Sequence, residues 1–156
     1  FVWIGAAAEA GTEQIKSTLH SAAVGRAMLT DFQTLPPDAP LSRAIELTLA
    51  GSQKEFPVLE DGKVIGVLTQ DDLLKGLQAS GEHAPASRWM QKEVLTADIK
   101  EPLEKVLDRL QSTHCPLIAV TRAGQLAGII NLENIMELIK IQTALQERDG
   151  EMKWEA

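Results

Sequence analysis

One cysteine, Cys115, is all the sequence holds in 156 residues, so no intramolecular disulfide can staple the chain and its framework suits a reducing compartment. Long apolar runs are missing too. Phe1-Val2-Trp3-Ile4 gives way at once to Gly5 and alanines, far short of the roughly 20 residues that cross a bilayer. Positive charge is scarce: 15 Lys and Arg stand against 22 Asp and Glu, for a net charge of -7, which excludes a general affinity for nucleic acid but leaves room for a local anion site. The three histidines, His20, His83 and His114, are isolated and no second cysteine exists, so a closed zinc site lacks its ligands and no metal site is expected in this chain. Cys115 precedes Pro116 in an apolar run and reads as a small core residue, and Trp89 reads as packing. No set of nucleophile, base and orienting group can be assembled, so an enzyme on this chain is not expected.

What is present is ordinary globular composition, 44% hydrophobic and 24% charged, organised as an internal repeat. Met28 and Met90, Pro40-Leu41 and Pro102-Leu103, Gly66 and Gly128, Thr69 and Asn131, and Asp72 and Asn134 each stand 62 positions apart. Pro57-Val58 and Pro116-Leu117 are 59 apart, which predicts loops of unequal length in the two copies. Each copy opens with a short β-favouring run, Phe32 to Leu35 or Val94 to Thr96, and each proline at 40 and 102 suits the first turn of a helix. Leu41, Ala44, Ile45 and Leu49, like Leu103, Val106, Leu107 and Leu110, form one-sided stripes. Two strand-like runs follow, joined in the first copy by Asp61-Gly62 and in the second around Ala123-Gly124. A second helix carries Leu73, Leu74 and Leu77, or Ile135, Met136 and Ile139. The expected fold class is α+β, a β-α-β-β-α unit twice over. A unit of about 60 residues is marginal alone, so the copies are expected to pack together across the short segment 79–87.

The run Gly66-Val67-Leu68-Thr69-Gln70-Asp71-Asp72-Leu73, with Phe56-Pro57-Val58-Leu59 before it, Met28 to Pro37 at its head and the twofold repeat around it, resembles a tandem CBS domain pair, the regulatory module named after cystathionine β-synthase. The resemblance covers residues 24 to 141 and implies two repeats packed as a pseudo-twofold disc whose clefts bind adenosine nucleotides such as AMP, ADP or ATP. The matching positions are Thr34, Leu35, Pro57, Val58, Gly66, Thr69 and Asp72 in one cleft, and Thr96, Ala97, Pro116, Leu117, Asn131 and Asn134 in a weaker second one. Physical chemistry supports the first cleft. A strand that turns at Thr69 directly into a helix presents unpaired backbone N–H groups and the positive dipole end to a phosphate, and Asp72 can accept both hydrogens of a ribose diol. Gly66 would let backbone approach the ligand, and Thr34-Leu35 and Pro57-Val58 would bracket adenine. Lys54 and Arg88 are further candidates to face a phosphate. Thr69 and Asp72 are equally an ordinary helix-capping pair, and the two readings can coexist. Asn at both key positions of the second cleft removes the charge-assisted bond.

The division expected is 1–23 as a juxtamembrane linker helix, 24–80 and 86–141 as the repeats, and 142–156 as a C-terminal helix extension and tail, with helical pattern fading near Arg148. The opening Phe1 to Ala10 resembles the segment after the last membrane helix in CBS-containing members of the site-2 protease family, intramembrane zinc metalloproteases. That implies the cytosolic regulatory domain of an integral membrane protein whose zinc lies in a protease region outside this chain, since no His-Glu-x-x-His motif is present. A homodimer through the CBS pairs is expected. The alternative is an interaction module that joins two copies of the protease and binds no small ligand.

Overall fold

The computed structural model describes residues 17, 19–113 and 116–155. Each repeat is built around a tight β-hairpin: β1 (Phe56–Glu60) with β2 (Lys63–Leu68) in the first, β4 (Ile118–Arg122) with β5 (Gln125–Ile130) in the second. Both two-residue turns have positive φ at both positions, 52° and 80° at Asp61 and Gly62, 52° and 79° at Ala123 and Gly124, the pattern of a type I′ turn that matches strand twist. Aspartate and glycine tolerate this backbone, whereas Ala123 bears a strain of about 1 kcal/mol. Helices flank each hairpin: α1 (Leu41–Ala50) and α2 (Gln70–Ser80) in the first repeat, α4 (Leu103–Thr113) and α5 (Leu132–Glu155) in the second, with a short α3 (Ala86–Trp89) between the repeats.

The opening strands differ, and the reason lies in two prolines. In the second repeat β3 (Thr96–Asp98) pairs in parallel with β4, and Ile99 adds an N–H bond to Thr121 O at 2.9 Å. The positions of the first repeat equivalent to Thr96–Asp98 and Ile99 are Thr34, Leu35, Pro36 and Pro37, and the two prolines offer no N–H, so the strand shrinks to one bridge between Leu35 and Val58. Both strands also begin later than Phe32 and Val94, which instead reach the contact between repeats.

The 62-residue offset holds through every element, including β1 and β4, which corrects the 59-residue pairing of Pro57-Val58 with Pro116-Leu117. The counterparts of Pro57 and Val58 are Ala119 and Val120, and Pro116 stands where the first repeat has Lys54. Two further corrections concern helices. Leu49 is 82% exposed and leaves the stripe that buries Leu41 and Ala44, because eight residues along a helix turn it about 80° from Leu41, on the side away from Ala44. The last helix runs on to Glu155, past Arg148, carried by the helix formers Glu151, Met152 and Lys153 in spite of Asp149 and Gly150. Of the expected N-terminal helix, residues 17 and 19–21 are helical and Leu19 is buried; residues 1–16, with Ile15, and residue 18 lie outside the described residues, as do His114 and Cys115.

The repeats are joined by reciprocal crossing. The segment leading into each repeat runs along the other one. Leu29 exchanges both backbone bonds with Ile129 of β5, at 2.8 and 3.0 Å, and Gln91 does the same with Val67 of β2, at 2.8 and 3.0 Å. Leu103 N–H donates to Ala22 O and Leu41 N–H to Ala84 O, so each lead-in also satisfies an unpaired donor at the start of the opposite repeat's helix. Segment 79–87 is thus a structural member as well as a linker. The cores are exchanged accordingly. Val24 and Ala22 pack with Leu103, Val106, Ile118 and Ile135, while Ala84 and Ala86 pack with Leu41, Phe56, Val58 and Leu68. Between the halves Val67, Ile129 and Leu117 form a third apolar cluster.

Two glycines make the crossing possible. A Cβ on Gly66 would lie 2.4 Å from Met90 Sδ and 3.0 Å from Gln91 O; one on Gly128 would lie 2.6 Å from Met28 Sδ and 2.8 Å from Leu29 O. A methionine can swing aside, but the backbone oxygens move only with the crossing strand. Gly66→Ala and Gly128→Ala are therefore expected to destabilise the fold by about 1–3 kcal/mol in urea titrations, Gly128→Ala by more because its backbone contact is tighter.

Candidate functional site

β2 ends in the buried Leu68, and the chain turns at Thr69 straight into α2. Thr69 caps that helix: its Oγ1 accepts the Asp72 N–H at 3.2 Å, while its hydroxyl donates to Asp72 Oδ2 at 2.8 Å. Gln91 Nε2 donates to the same Oδ2 at 3.1 Å, from a residue whose backbone is fixed to Val67 by the crossing. In front of these groups opens a cavity of about 430 Å³, within the usual range for small-molecule sites. The start of α2 supplies Thr69, Gln70, Asp71, Asp72 and Lys75; Glu55 comes from the approach to β1, and Gln91 and Pro116 from the second repeat. Parts of both repeats therefore make the cleft.

Its charge is mixed. The helix start offers backbone N–H groups and a positive dipole end, yet three carboxylates, Glu55, Asp71 and Asp72, face one cation, Lys75. Burial pushes the Glu55 carboxyl above its usual range; Lys54 opposes this and Glu133 adds to it. Glu133, the second repeat's counterpart of Asp71, thus lies within electrostatic reach of Glu55.

Of the seven positions matched to the first cleft, Thr69 and Asp72 come together on the cavity wall. Leu35 and Val58 do not reach it, being 1% and 0% exposed and bridged to each other inside the first repeat. Pro57 is buried, and Thr34, half-buried, lies outside the lining. Gly66 faces Met90 of the crossing strand, so its missing side chain makes room for protein and not for a ligand. Lys54 and Arg88 are exposed and outside the lining; Lys75 takes the place foreseen for them. Trp89 packs against Gly76, as expected, although its buried Nε1 finds no hydrogen-bond partner among the described residues. Sequence reasoning missed Glu55, Gln70, Asp71, Lys75 and Gln91. Lys75, four residues after Asp71 on one helix face, was the readable signal among them.

The second set is arranged otherwise. Asn131 and Asn134 cap the helix reciprocally, each side-chain oxygen accepting the other's backbone N–H, at 2.9 and 3.0 Å. Asn134 is 9% exposed and brings no charge. Ala97 is buried in β3, and Thr96 is exposed with its carbonyl held by Arg109 at 2.7 Å. Leu117 sits in the cluster between the halves, and Pro116 lines the cavity in front of Thr69 and Asp72. Among the described residues no group of three or more His, Cys, Asp or Glu is placed to hold a metal ion, and no helix is long and apolar enough to cross a membrane.

Comparison with known proteins agrees with this architecture. The CBS domain family model matches residues 24–79 and 86–141. A homoserine O-acetyltransferase of Methanococcus vannielii is 28% identical over 131 residues, which are 81% of this chain and 27% of that protein. The chain spans about a quarter of the length of the first curated relatives it matches. Among solved structures, an acetoin utilization protein (AcuB) from Vibrio cholerae superposes with a TM-score of 0.74 at 22% identity, over 81% of this chain and 96% of that one. The CBS domain of a bacterial CNNM/CorC family Mg²⁺ transporter, solved in complex with ATP, gives 0.75 at 18% identity, over 84% and 96%. With the repeat, the two hairpin units and the family match in agreement, the chain belongs to the CBS domain family as a tandem pair.

Proposed function

We propose that this CBS pair is a regulatory module that senses an adenosine nucleotide in the Thr69/Asp72 cleft. The observation that carries the reading is Asp72: a carboxylate one turn into a helix whose start opens on a cavity of about 430 Å³. There it can receive a ribose diol while the N–H groups around Thr69 receive phosphate. The ATP held by the related transporter domain supports the same ligand class. The second helix start, closed by its own asparagines, contributes little binding. The carboxylates of Glu55 and Asp71 oppose phosphate charge, so short phosphate chains are favoured over long ones.

The regulated partner is an attached membrane zinc metalloprotease of the site-2 family, a reading supported by the likeness of Phe1 to Ala10 and placing the module on the cytosolic side of the membrane. A nucleotide that stabilises one arrangement of the pair biases the attached enzyme by its differential affinity for the two arrangements. The module also pairs with a second copy. Leu74 on α2 and Met136 on α5, 62 positions apart and 53% and 44% exposed, are symmetry-related apolar positions, as a twofold interface requires.

Calorimetry on the purified chain is expected to give one dominant site for AMP, ADP or ATP, lost in Asp72→Ala and retained in Asn134→Ala. No binding at millimolar nucleotide, or unchanged binding in Asp72→Ala, would falsify the reading and leave the pairing function alone. At pH 7, Glu55→Gln is expected to raise affinity by roughly 3- to 10-fold for ATP and by less for AMP, because removing one cleft charge relieves repulsion in proportion to phosphate charge.

A further inference from the structure

Among the described residues Gln91 is the one lining residue that reaches the cleft along the crossing strand, and its side chain occupies the group on which the nucleotide reading depends. We propose that Gln91 sets the affinity and sugar specificity of the cleft by competing with the ribose for Asp72; this rests on the nucleotide reading above. Two donors, the Thr69 hydroxyl at 2.8 Å and Gln91 Nε2 at 3.1 Å, converge on the single oxygen Oδ2. A vicinal diol binds a carboxylate best by giving one hydrogen to each oxygen, so the second ribose hydroxyl must displace a donor from Oδ2, and the exposed carboxamide yields before Thr69, whose Oγ1 is also held by the Asp72 N–H. The displacement is local. Gln91's backbone stays bonded to Val67 at 2.8 and 3.0 Å, while its exposed side chain can turn into solvent.

The second repeat serves as an internal control. The residue that crosses to β5 at the position equivalent to Gln91 is Leu29, which has no donor, and the residue equivalent to Asp72 is Asn134, whose Oδ1 is engaged by the Asn131 N–H. The carboxamide thus stands opposite the carboxylate and is absent where the carboxylate is absent. As a competitor, Gln91 penalises every ligand that needs both oxygens and spares one that needs a single oxygen.

The test is calorimetry on the whole chain with AMP and with 2′-deoxyadenosine 5′-monophosphate, for the native sequence, Gln91→Leu and Gln91→Ala. Leucine is the side chain this fold already accepts at the equivalent crossing, and the alanine variant guards against an effect peculiar to leucine. Both variants are expected to bind AMP about 3- to 10-fold more tightly, the fold-change of one lost solvent-exposed hydrogen bond to Asp72, with the deoxynucleotide nearly unchanged, so that the ratio between the two sugars widens. Weaker or unaltered AMP binding in both variants, with Asp72→Ala still abolishing it, overturns competition and leaves the nucleotide reading standing. AMP binding that is absent in the native chain, or indifferent to Asp72→Ala, removes both.

Discussion

The crossing of the two lead-in segments is the constraint on which the remaining structure depends. Each repeat alone would have a hairpin with an open edge beside Val67 or Ile129 and a helix whose first N–H groups lack partners. Each repeat receives the missing pieces from the other: a bridge to β2 from Gln91 and to β5 from Leu29, and carbonyls for the starts of α1 and α4 from Ala84 and Ala22. Gly66 and Gly128 are the positions at which this exchange is sterically possible, since the methionines 28 and 90 fill the space where a Cβ would stand. A 56-residue CBS repeat is small for an independent core, and the exchange turns two marginal units into one of adequate size.

The cleft inherits its character from that arrangement. Thr69 and Asp72 are placed by the first repeat, while Gln91 and Pro116 arrive from the second, so a ligand there touches both halves at once. The two hairpin-and-helix frames then carry different chemistry. Carboxylate, amide and lysine gather at one helix start, and a self-satisfied asparagine pair closes the other. The same division appears elsewhere. Arg109 ties Glu101 and the Thr96 carbonyl together in the second repeat and, with the Asp98 N–H, keeps the Glu101 carboxyl below its usual range, where the first repeat has only Leu47 and Ala39. That pair stabilises the second repeat at neutral pH and ceases to do so as the pH falls through the carboxyl's lowered range.

Much of the fold was legible because its signals are local. Asp61-Gly62 announces a hairpin, Pro40 and Pro102 announce helix starts, and the 62-residue spacing announces two copies. Thr69 and Asp72 were legible for the same reason, being three residues apart on one helix end. What stayed hidden is non-local. Leu29 and Gln91 each cross by a single bridge, with no alternating strand pattern to betray them. The likeness of Pro116-Leu117 to Pro57-Val58 was a match of residue types that the sheet register does not share: Pro116 lines the first cavity and Leu117 sits in the cluster between the halves. Gly66 was read as space for a ligand because the sequence cannot say that Met90 returns to fill it.

Native-state hydrogen exchange of four backbone amides, Leu29, Val67, Gln91 and Ile129, tests the claim that the crossing makes the halves one unit most directly. The account predicts that all four open only with the global unfolding that also releases the strands of both hairpins. Exchange of Leu29 and Gln91 by local opening while β2 and β5 remain protected, or release of the two repeats at separate free energies, would contradict it.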